Sequence, residues 1–461
     1  MIQNLKELIE SGKDEASRRA RKIALELALE GLRAANPKVA IRKYVELRDK
    51  LFMVKGKCSV DISKIKNVYV IGMGKASGAM AEAIEEILKD KITEGVISVP
   101  KGTAKRYKLS RICACEGEHP IPGKGSMNCA EKILSIAEKA GEGDLVICLI
   151  SGGGSALATL PANDITLEDM MQTTKLLLRC GAEIKEINVV RKHISRIKGG
   201  WLAKAAYPAR VISLIISDVV GDDLGSIASG PTSPDPSTYL DAKTILEKYG
   251  IWNEVPDSVR EWIELGVKGA INETPKPNDE IFSKVTNAII ASNRVSLQSM
   301  EHKARSLGLN SLIITSYLEG EAREVGKVIG TILREIHDHD SPVKKPAVII
   351  AGGETTVTVK GSGKGGRNQE LALSAIRIIS GLKGTALMSM GSDGLDGITD
   401  AAGAIVDGNT LDRAIKAGLN YEEYLANNDS YTFFKELGGS LIFTGPTGTN
   451  VNDFIIGVVV D

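Results

Sequence analysis

Short, wholly apolar runs alternate with amphipathic stretches along most of this chain, as strands buried on both faces alternate with the helices that cover them. NVYVIG, EGVISVP, DLVICLI and VISLIIS (Val211 to Ser217) are the runs, and AMAEAIEEILKD and MNCAEKILSIAEKA carry apolar positions at helical spacing between them. That order predicts an α/β protein with a mostly parallel, Rossmann-like sheet and helices on both faces. A second α/β series begins at NAIIAS and continues through LGLNSLIITS, PAVIIAGG, TALMSMGSDG and FIIGVVVD. Residues 1 to 52 read as two helices, in KIALELALEGLRAANP and VAIRKYVELRDKLFMV. Proline and charge concentrate from Gly230 to Asp279, in GPTSPDPSTY and NETPKPND, which predicts an interdomain connection with a short helical piece inside it. The expected division is an N-terminal Rossmann-like domain over 1–245, a connection over 246–285 and a C-terminal α/β domain over 286–461.

Composition narrows this picture. At 461 residues the chain exceeds what one hydrophobic core usually supports, in keeping with two domains. Its 58 basic and 58 acidic residues balance, which removes any general electrostatic argument for nucleic acid or an anionic membrane. Aromatic residues are only 4%, too few for a base-stacking surface. With no apolar run of about 18 residues and no signal-peptide core in MIQNLKELIESGKDEASRRARK, the protein is expected in the cytoplasm. Cys58, Cys113, Cys115, Cys129, Cys148 and Cys180 are scattered, and Cys113-Ala114-Cys115 has no second pair at zinc spacing, so reduced thiols are expected.

The candidate chemistry lies in loops. Three glycine-rich loops each follow a β-branched run: VYVIGMGKASG (Val68 to Gly78), LVICLISGGGSAL (Leu145 to Leu157) and GSGKGGRNQE (Gly361 to Glu370). A strand that runs through such a turn into a helix aims backbone N–H groups at one spot and forms an anion site. The first loop offers Gly74, Ser77 and Lys75, a compact cation suited to neutralising a phosphoryl group. It matches a dinucleotide fingerprint incompletely, because Ser77 stands where a glycine is wanted and the next strand ends in Pro100 and Lys101 instead of an acid. In the second loop Gly152, Gly153 and Gly154, flanked by Ser151 and Ser155, let a ligand approach the backbone. It is neither a Walker loop nor a nucleophile elbow, since Leu157 stands at the last glycine position of the latter. In the third, Gly365 and Gly366 precede Arg367, whose guanidinium can grip an oxyanion in bidentate fashion.

Two acidic loops accompany them. SDVVGDD supplies Asp218, Asp222 and Asp223, and GSDGLDGITD supplies Asp393, Asp396 and Asp400. Mg²⁺ is usually held by one or two carboxylates together with substrate phosphates, and Asp218 and Asp393 stand nearest the strand ends. Asp222, Asp223 and Asp400 serve equally well as turn or helix caps. VVRKHISRIKGG offers Arg191 and Lys198, as a substrate clamp or a solvated helix face. His119 and His193 lack metal spacing and read as hydrogen-bonded loop or core residues.

Together, VIGMGKASGAM, SGGGSALATLP, NVVRKHISRIKGG, ISDVVGDDLGSIASGPTSPDPSTY, GGETTVTVKGSGKGGRNQELAL and GSDGLDGITDAAGA resemble the class II glycerate 2-kinases, two-domain enzymes with a C-terminal MOFRL domain. The resemblance runs in order from about residue 10 to the C-terminus. It implies phosphorylation of D-glycerate at the 2-hydroxyl by ATP with Mg²⁺, in serine and glycerate breakdown or a variant Entner–Doudoroff route. It places the family's catalytic lysine on Lys75 and its arginine on Arg367. The SGGGS amides would hold either the glycerate carboxylate or a phosphate, and Asp218 or Asp393 would bind the metal or accept the hydroxyl proton. An active site in the cleft between the domains is expected, and a homodimer is left open. The rival activities are an NAD(P)H-dependent hydroxypyruvate reductase and a sugar-acid-binding protein without ATP turnover.

Overall fold

The computed structural model describes residues 2–460. It divides into two compact units, Pro37–Ile290 and a second unit made of Met1–Asn36 together with Ala291–Asp461. This division differs from the linear expectation of 1–245, 246–285 and 286–461. The N-terminal helices belong with the C-terminal part of the chain. The proline-rich stretch expected as a connection lies inside the unit Pro37–Ile290, where its helices Tyr239–Lys248 and Asp257–Val267 bury Tyr239, Leu246, Val259 and Ile263 in a core shared with Ile187, Val190 and Leu177. Two amphipathic helices with apolar faces of this kind have to be covered, and a free linker would leave them in water.

The unit Pro37–Ile290 opens with the helix Pro37–Tyr44 and a small antiparallel sheet of β1 (Val45–Arg48), β2 (Leu51–Val54) and β3 (Cys58–Asp61). The second helix expected across VAIRKYVELRDKLFMV therefore ends at Tyr44. Its later half turns at Asp49, which takes a left-handed φ of 55°, and pairs as strands. The main sheet contains β4 (Val68–Met73), β5 (Glu94–Pro100), β6 (Ile112–Gly117), β7 (Leu145–Ser151), β8 (Arg210–Ile216) and β9 (Val285–Ala291), in the order β6-β5-β4-β7-β8-β9. The pairs β4–β5, β5–β6, β4–β7 and β7–β8 are parallel. Every residue of β4 and β7 is buried, which is why these strands read as unbroken apolar runs. The helix Lys124–Lys139 packs Cys129, Ile133 and Ala137 against Tyr69, Ile71 and Met73 of one face. The chain leaves β4 toward β5 and β6, then returns to the other side of β4 at β7, so the strand order reverses between β4 and β7, the place where doubly wound sheets bind ligands.

In the second unit the strands β10 (Asn310–Leu318), β11 (Ala347–Gly353), β12 (Thr385–Gly391), β13 (Gly403–Asp407), β14 (Leu441–Ile442) and β15 (Asp453–Val459) are ordered β10-β11-β15-β12-β13-β14. Only β10–β11 is parallel; β15 inserts between β11 and β12 antiparallel to both. The N-terminal helix Glu15–Ala35 docks here through Arg21, whose guanidinium is fully buried and donates to Asp407 and to the carbonyls of Leu8 and Gly439, each 2.9 Å away.

Cys115 on β6 and Cys129 on the helix Lys124–Lys139 form a disulfide, their Cα atoms 5.6 Å apart, which corrects the expectation of six reduced thiols. The two residues are 14 apart in the chain, on consecutive elements, and the packing of this helix on the sheet brings them together. Cys58, Cys113, Cys148 and Cys180 are free, and burial pushes the Cys148 thiol up to about 12. Among the described residues no helix is long and apolar enough to cross a membrane.

Candidate active site

The loops after β4 and β7 lock onto each other through their backbones. Lys75 N donates to Gly152 O at 2.9 Å and Ala76 N to Ser151 Oγ at 3.0 Å. Ser77 Oγ is fully buried and donates toward the carbonyls of Gly74 and Ser98, at 2.8 and 2.7 Å. Ser77 and Ser151, expected to face a phosphate, thus spend their side chains shaping the loops. Gly74 has no room for a side chain against Ser151, and Gly152 has none against the Asp218 carboxylate. Gly153 takes φ +79° and starts the turn of Gly154–Leu157; a Cβ there would lie 3.0 Å from the His119 ring and 3.2 Å from Lys75 Cε. Lys75, His119 and Asp218 therefore converge on the glycine loop from three different strand ends.

Lys75 is exposed and has no carboxylate partner within salt-bridge distance among the described residues. His119 was read from the sequence as a lone loop histidine. Burial, then the charge of Lys75, hold its ring below the usual imidazole range, so it stands neutral beside the lysine at pH 7. No spacing signal could have found it, because the contact depends on how β6 is placed in the sheet.

Lys198 is fully buried and donates from Nζ to Ser155 O at 2.9 Å and to Ala158 O at 3.3 Å. Ser155 Oγ lies 2.6 Å from Ser229 Oγ, and Ser229 donates to Asn188 Oδ1 at 3.1 Å. Arg191 is on the helix Ile184–His193, one turn after Asn188. His193 is a core residue as expected, its ring against Tyr239 and its Nε2 3.2 Å from Glu273.

In the second unit Arg367 opens the helix Arg367–Ala375. Its Nε and Nη2 donate to the two oxygens of Asp453 at 2.6 and 3.1 Å, and Nη1 donates to Glu354 at 2.7 Å. The bidentate grip expected for a ligand is already made to a protein carboxylate, and one N–H on each terminal nitrogen is left over. Burial by itself would lower Arg367, but Asp453 and Glu354 hold it above its usual range. Burial lifts the Asp453 carboxyl to about 6 in spite of Arg367. The two shifts pull opposite ways on one pair. We take the pair as ionised at neutral pH, because both Asp453 oxygens accept hydrogen bonds from the guanidinium. Asp453 and Glu354 went unnoticed in the sequence, since they approach Arg367 from the start of β15 and the end of β11.

Gly365 and Gly366 are held by packing: a Cβ on Gly366 would strike Asp396, and one on Gly365 would strike Ser430. Asp396 is buried and accepts from the backbone N–H groups of Asn368 and Gln369, capping the helix. Asp400 accepts from the Tyr431 hydroxyl, and Asp223 caps a turn through Gly225 N and Ser226 Oγ. Among the described residues no three His, Cys, Asp or Glu side chains form a group that could hold a metal ion. Asp218 and Asp222 lie in one unit and Asp393 in the other. The two carboxylates of the loop after β8, Asp218 and Asp222, are hard oxygen donors of the type that Mg²⁺ takes beside phosphates and water.

A doubly wound sheet with a lysine and glycine loops at its switch point, joined in one chain to a mixed α/β unit, defines the class as a two-unit α/β protein with a ligand site of anion-binding character. A family model described as a domain of unknown function (DUF4147) matches residues 23–264, and the MOFRL family model matches residues 347–453. Over 95% of its length the chain is 48% identical to a glycerate 2-kinase of Pyrococcus horikoshii, 97% of which is covered. The crystal structure of a glycerate kinase from Thermotoga maritima matches with a TM-score of 0.84 at 41% identity, over 95% of this chain and 99% of that one. An Agrobacterium vitis protein named as a hydroxypyruvate reductase is 42% identical over 91% of this chain and 90% of its own. The chain belongs to the glycerate 2-kinase family.

Proposed function

We propose that the protein transfers the γ-phosphoryl group of ATP to the 2-hydroxyl of D-glycerate, giving 2-phosphoglycerate and ADP, and that it does so in the cytoplasm with Mg²⁺. The observation that carries this reading is Lys75, an unneutralised cation held on a rigid turn against the Gly152–Gly154 loop, in a chain related along nearly its whole length to a glycerate 2-kinase.

Phosphoryl transfer asks for positioning and charge neutralisation more than for covalent chemistry. Lys75 meets the charge on the phosphoryl group in flight, and the Gly152–Gly154 backbone lets the substrate close in without Cβ obstruction. Asp218, fixed over Gly152 at the end of β8, accepts the proton of the attacking hydroxyl. Asp222, in the same loop, is a carboxylate that would hold Mg²⁺, which when bound would neutralise phosphate charge. Arg367, pinned by Asp453 and Glu354, keeps two N–H donors for nucleotide phosphate. His119 stays neutral and adds no competing charge beside Lys75.

The deciding assay supplies ATP, Mg²⁺ and D-glycerate and separates 2-phosphoglycerate from 3-phosphoglycerate. Formation of the 2-isomer is expected; 3-phosphoglycerate alone, or no ADP, would overturn the reading. The reductase reading draws support from the Agrobacterium vitis name and the Rossmann-like strand order. Against it, β5 ends at Pro100 with no acid to hold a ribose. NAD(P)H oxidation with hydroxypyruvate would have to be seen to revive it.

A further inference from the structure

Three successive basic residues end the helix Ile184–His193, and they are treated unequally. Lys192 pairs with Asp235 at 3.4 Å and His193 with Glu273 at 3.2 Å. Arg191, half-buried, has no carboxylate or hydrogen-bond partner among the described residues, and burial alone lowers its guanidinium from the usual range. Lys198 stands near it, also without a carboxylate; burial and then the charge on Arg191 hold its ammonium well below the usual lysine range. A half-buried guanidinium with no carboxylate partner among the described residues, beside a buried lysine that only carbonyls and a hydroxyl satisfy, makes a positive region that an anion from outside would relieve.

The polar groups beside them are organised. Asn188, on the same helix face as Arg191, accepts from Ser229, and Ser229 Oγ meets Ser155 Oγ at 2.6 Å. Ala228 and Ser229 take φ values of 51° and 59°, left-handed conformations that non-glycine residues rarely adopt. Such strain persists only where the surroundings enforce it, often at functional sites. Here it turns the Ser229 hydroxyl toward Ser155, two residues along the loop from Gly153 and hence close to Lys75.

We propose that Arg191, with the hydroxyls of Ser155 and Ser229, forms the subsite for the carboxylate of the 2-hydroxy acid, and that Lys198 positions the Ser155 loop from behind. The proposal rests on the glycerate kinase reading and resolves which anion this end of the loop holds. The Arg191 guanidinium suits a planar, singly charged oxyanion, and Ser155, whose one proton can turn from Ser229 Oγ to a ligand, adds a donor that Ser229 orients from its bond to Asn188, while the exposed cation at the other end, Lys75, suits the phosphoryl group. A carboxylate held at Ser155 directs the hydroxyl on the adjacent carbon along the loop toward Lys75, which selects the 2-hydroxyl over the 3-hydroxyl.

The test compares Arg191→Gln and Ser229→Ala with the unaltered protein in steady-state kinetics and in calorimetric titration with D-glycerate alone. Arg191→Gln is expected to raise the KM and Kd for D-glycerate about 10- to 100-fold, the loss of a charge-assisted interaction. The KM for ATP should not move. Ser229→Ala, which keeps the backbone and deletes only the hydroxyl, is expected to weaken glycerate about 2- to 10-fold, and it carries the test if Arg191→Gln does not fold. A raised KM for ATP with glycerate unaffected would assign Arg191 to nucleotide phosphate and overturn the proposal. A fall in kcat with both KM values intact would overturn it too. If the unaltered protein makes no 2-phosphoglycerate, the kinase reading fails instead, and the titration still decides whether a carboxylate binds at Arg191.

Discussion

Lys75 and Arg367, the two cations picked out by sequence, prove to be different kinds of residue. Lys75 is exposed and projects from a turn whose amides are tied to the neighbouring loop. Arg367 is held on two carboxylates before any ligand arrives. A preorganised cation lowers a barrier when it meets charge that develops in the transition state. Lys75→Ala is therefore expected to lower kcat by about 10²-fold or more, with a far smaller change in the KM for glycerate. Stopped-flow or coupled assays at saturating substrates check this, and an unchanged kcat would remove Lys75 from the chemistry. The residue types of this site were legible because glycines, lysine and aspartates at strand ends have few structural uses in common. The partners Asp453, Glu354, His119 and Ser229 were not, since each reaches the site from another element.

At the scale of elements, strands buried on both faces and strongly amphipathic helices were readable from their periods, whereas edges and short pieces were not. β6, with the mixed pattern Ile112–Gly117 at the edge of its sheet, sits in what reads as a polar loop, and the expected helix through Val45 gives way to a hairpin. Edge strands bury one face only, so their apolar signal is half as strong. The helix Glu15–Ala35 shows the opposite case, a clear helix whose anchor is invisible in sequence. Its Arg21 is fully buried against Asp407, more than three hundred residues later. Arg21→Met leaves that carboxylate buried and unpaired, which should cost about 3–5 kcal/mol of stability. Urea unfolding should show the loss, and adding Asp407→Leu to the same variant should restore most of it, because the uncompensated charge is then gone.

At the scale of the whole molecule, the division into units has a direct experimental consequence. Pro37–Ile290 is continuous in the chain and has its own buried sheet and cores, so it is expected to fold when expressed alone and to unfold cooperatively. The segment 291–461 lacks the helix Glu15–Ala35, whose buried face belongs to its unit. Expressed alone it should be unstable or aggregate through the uncovered apolar surface, and a chain joining residues 1–36 to 291–461 should rescue it. Circular dichroism and thermal melts of the three fragments check this; a stable, monomeric 291–461 would contradict the assignment of the N-terminal helix.

The sequence by itself determined the fold class, the two α/β series, the glycine and acidic loops and the family, because these rest on local periodicity and on residues whose backbone or charge is used where they stand in the chain. The tertiary structure decided which residues share a core and which share a site. It assigned residues 1–36 to the unit of the C-terminal part of the chain, put β15 between β11 and β12, turned Ser77 and Ser151 inward and left Arg191 without a carboxylate partner among the described residues. These are long-range facts, set by which apolar faces must be covered and which buried charges find partners, and neither is encoded in the spacing of neighbours along the chain.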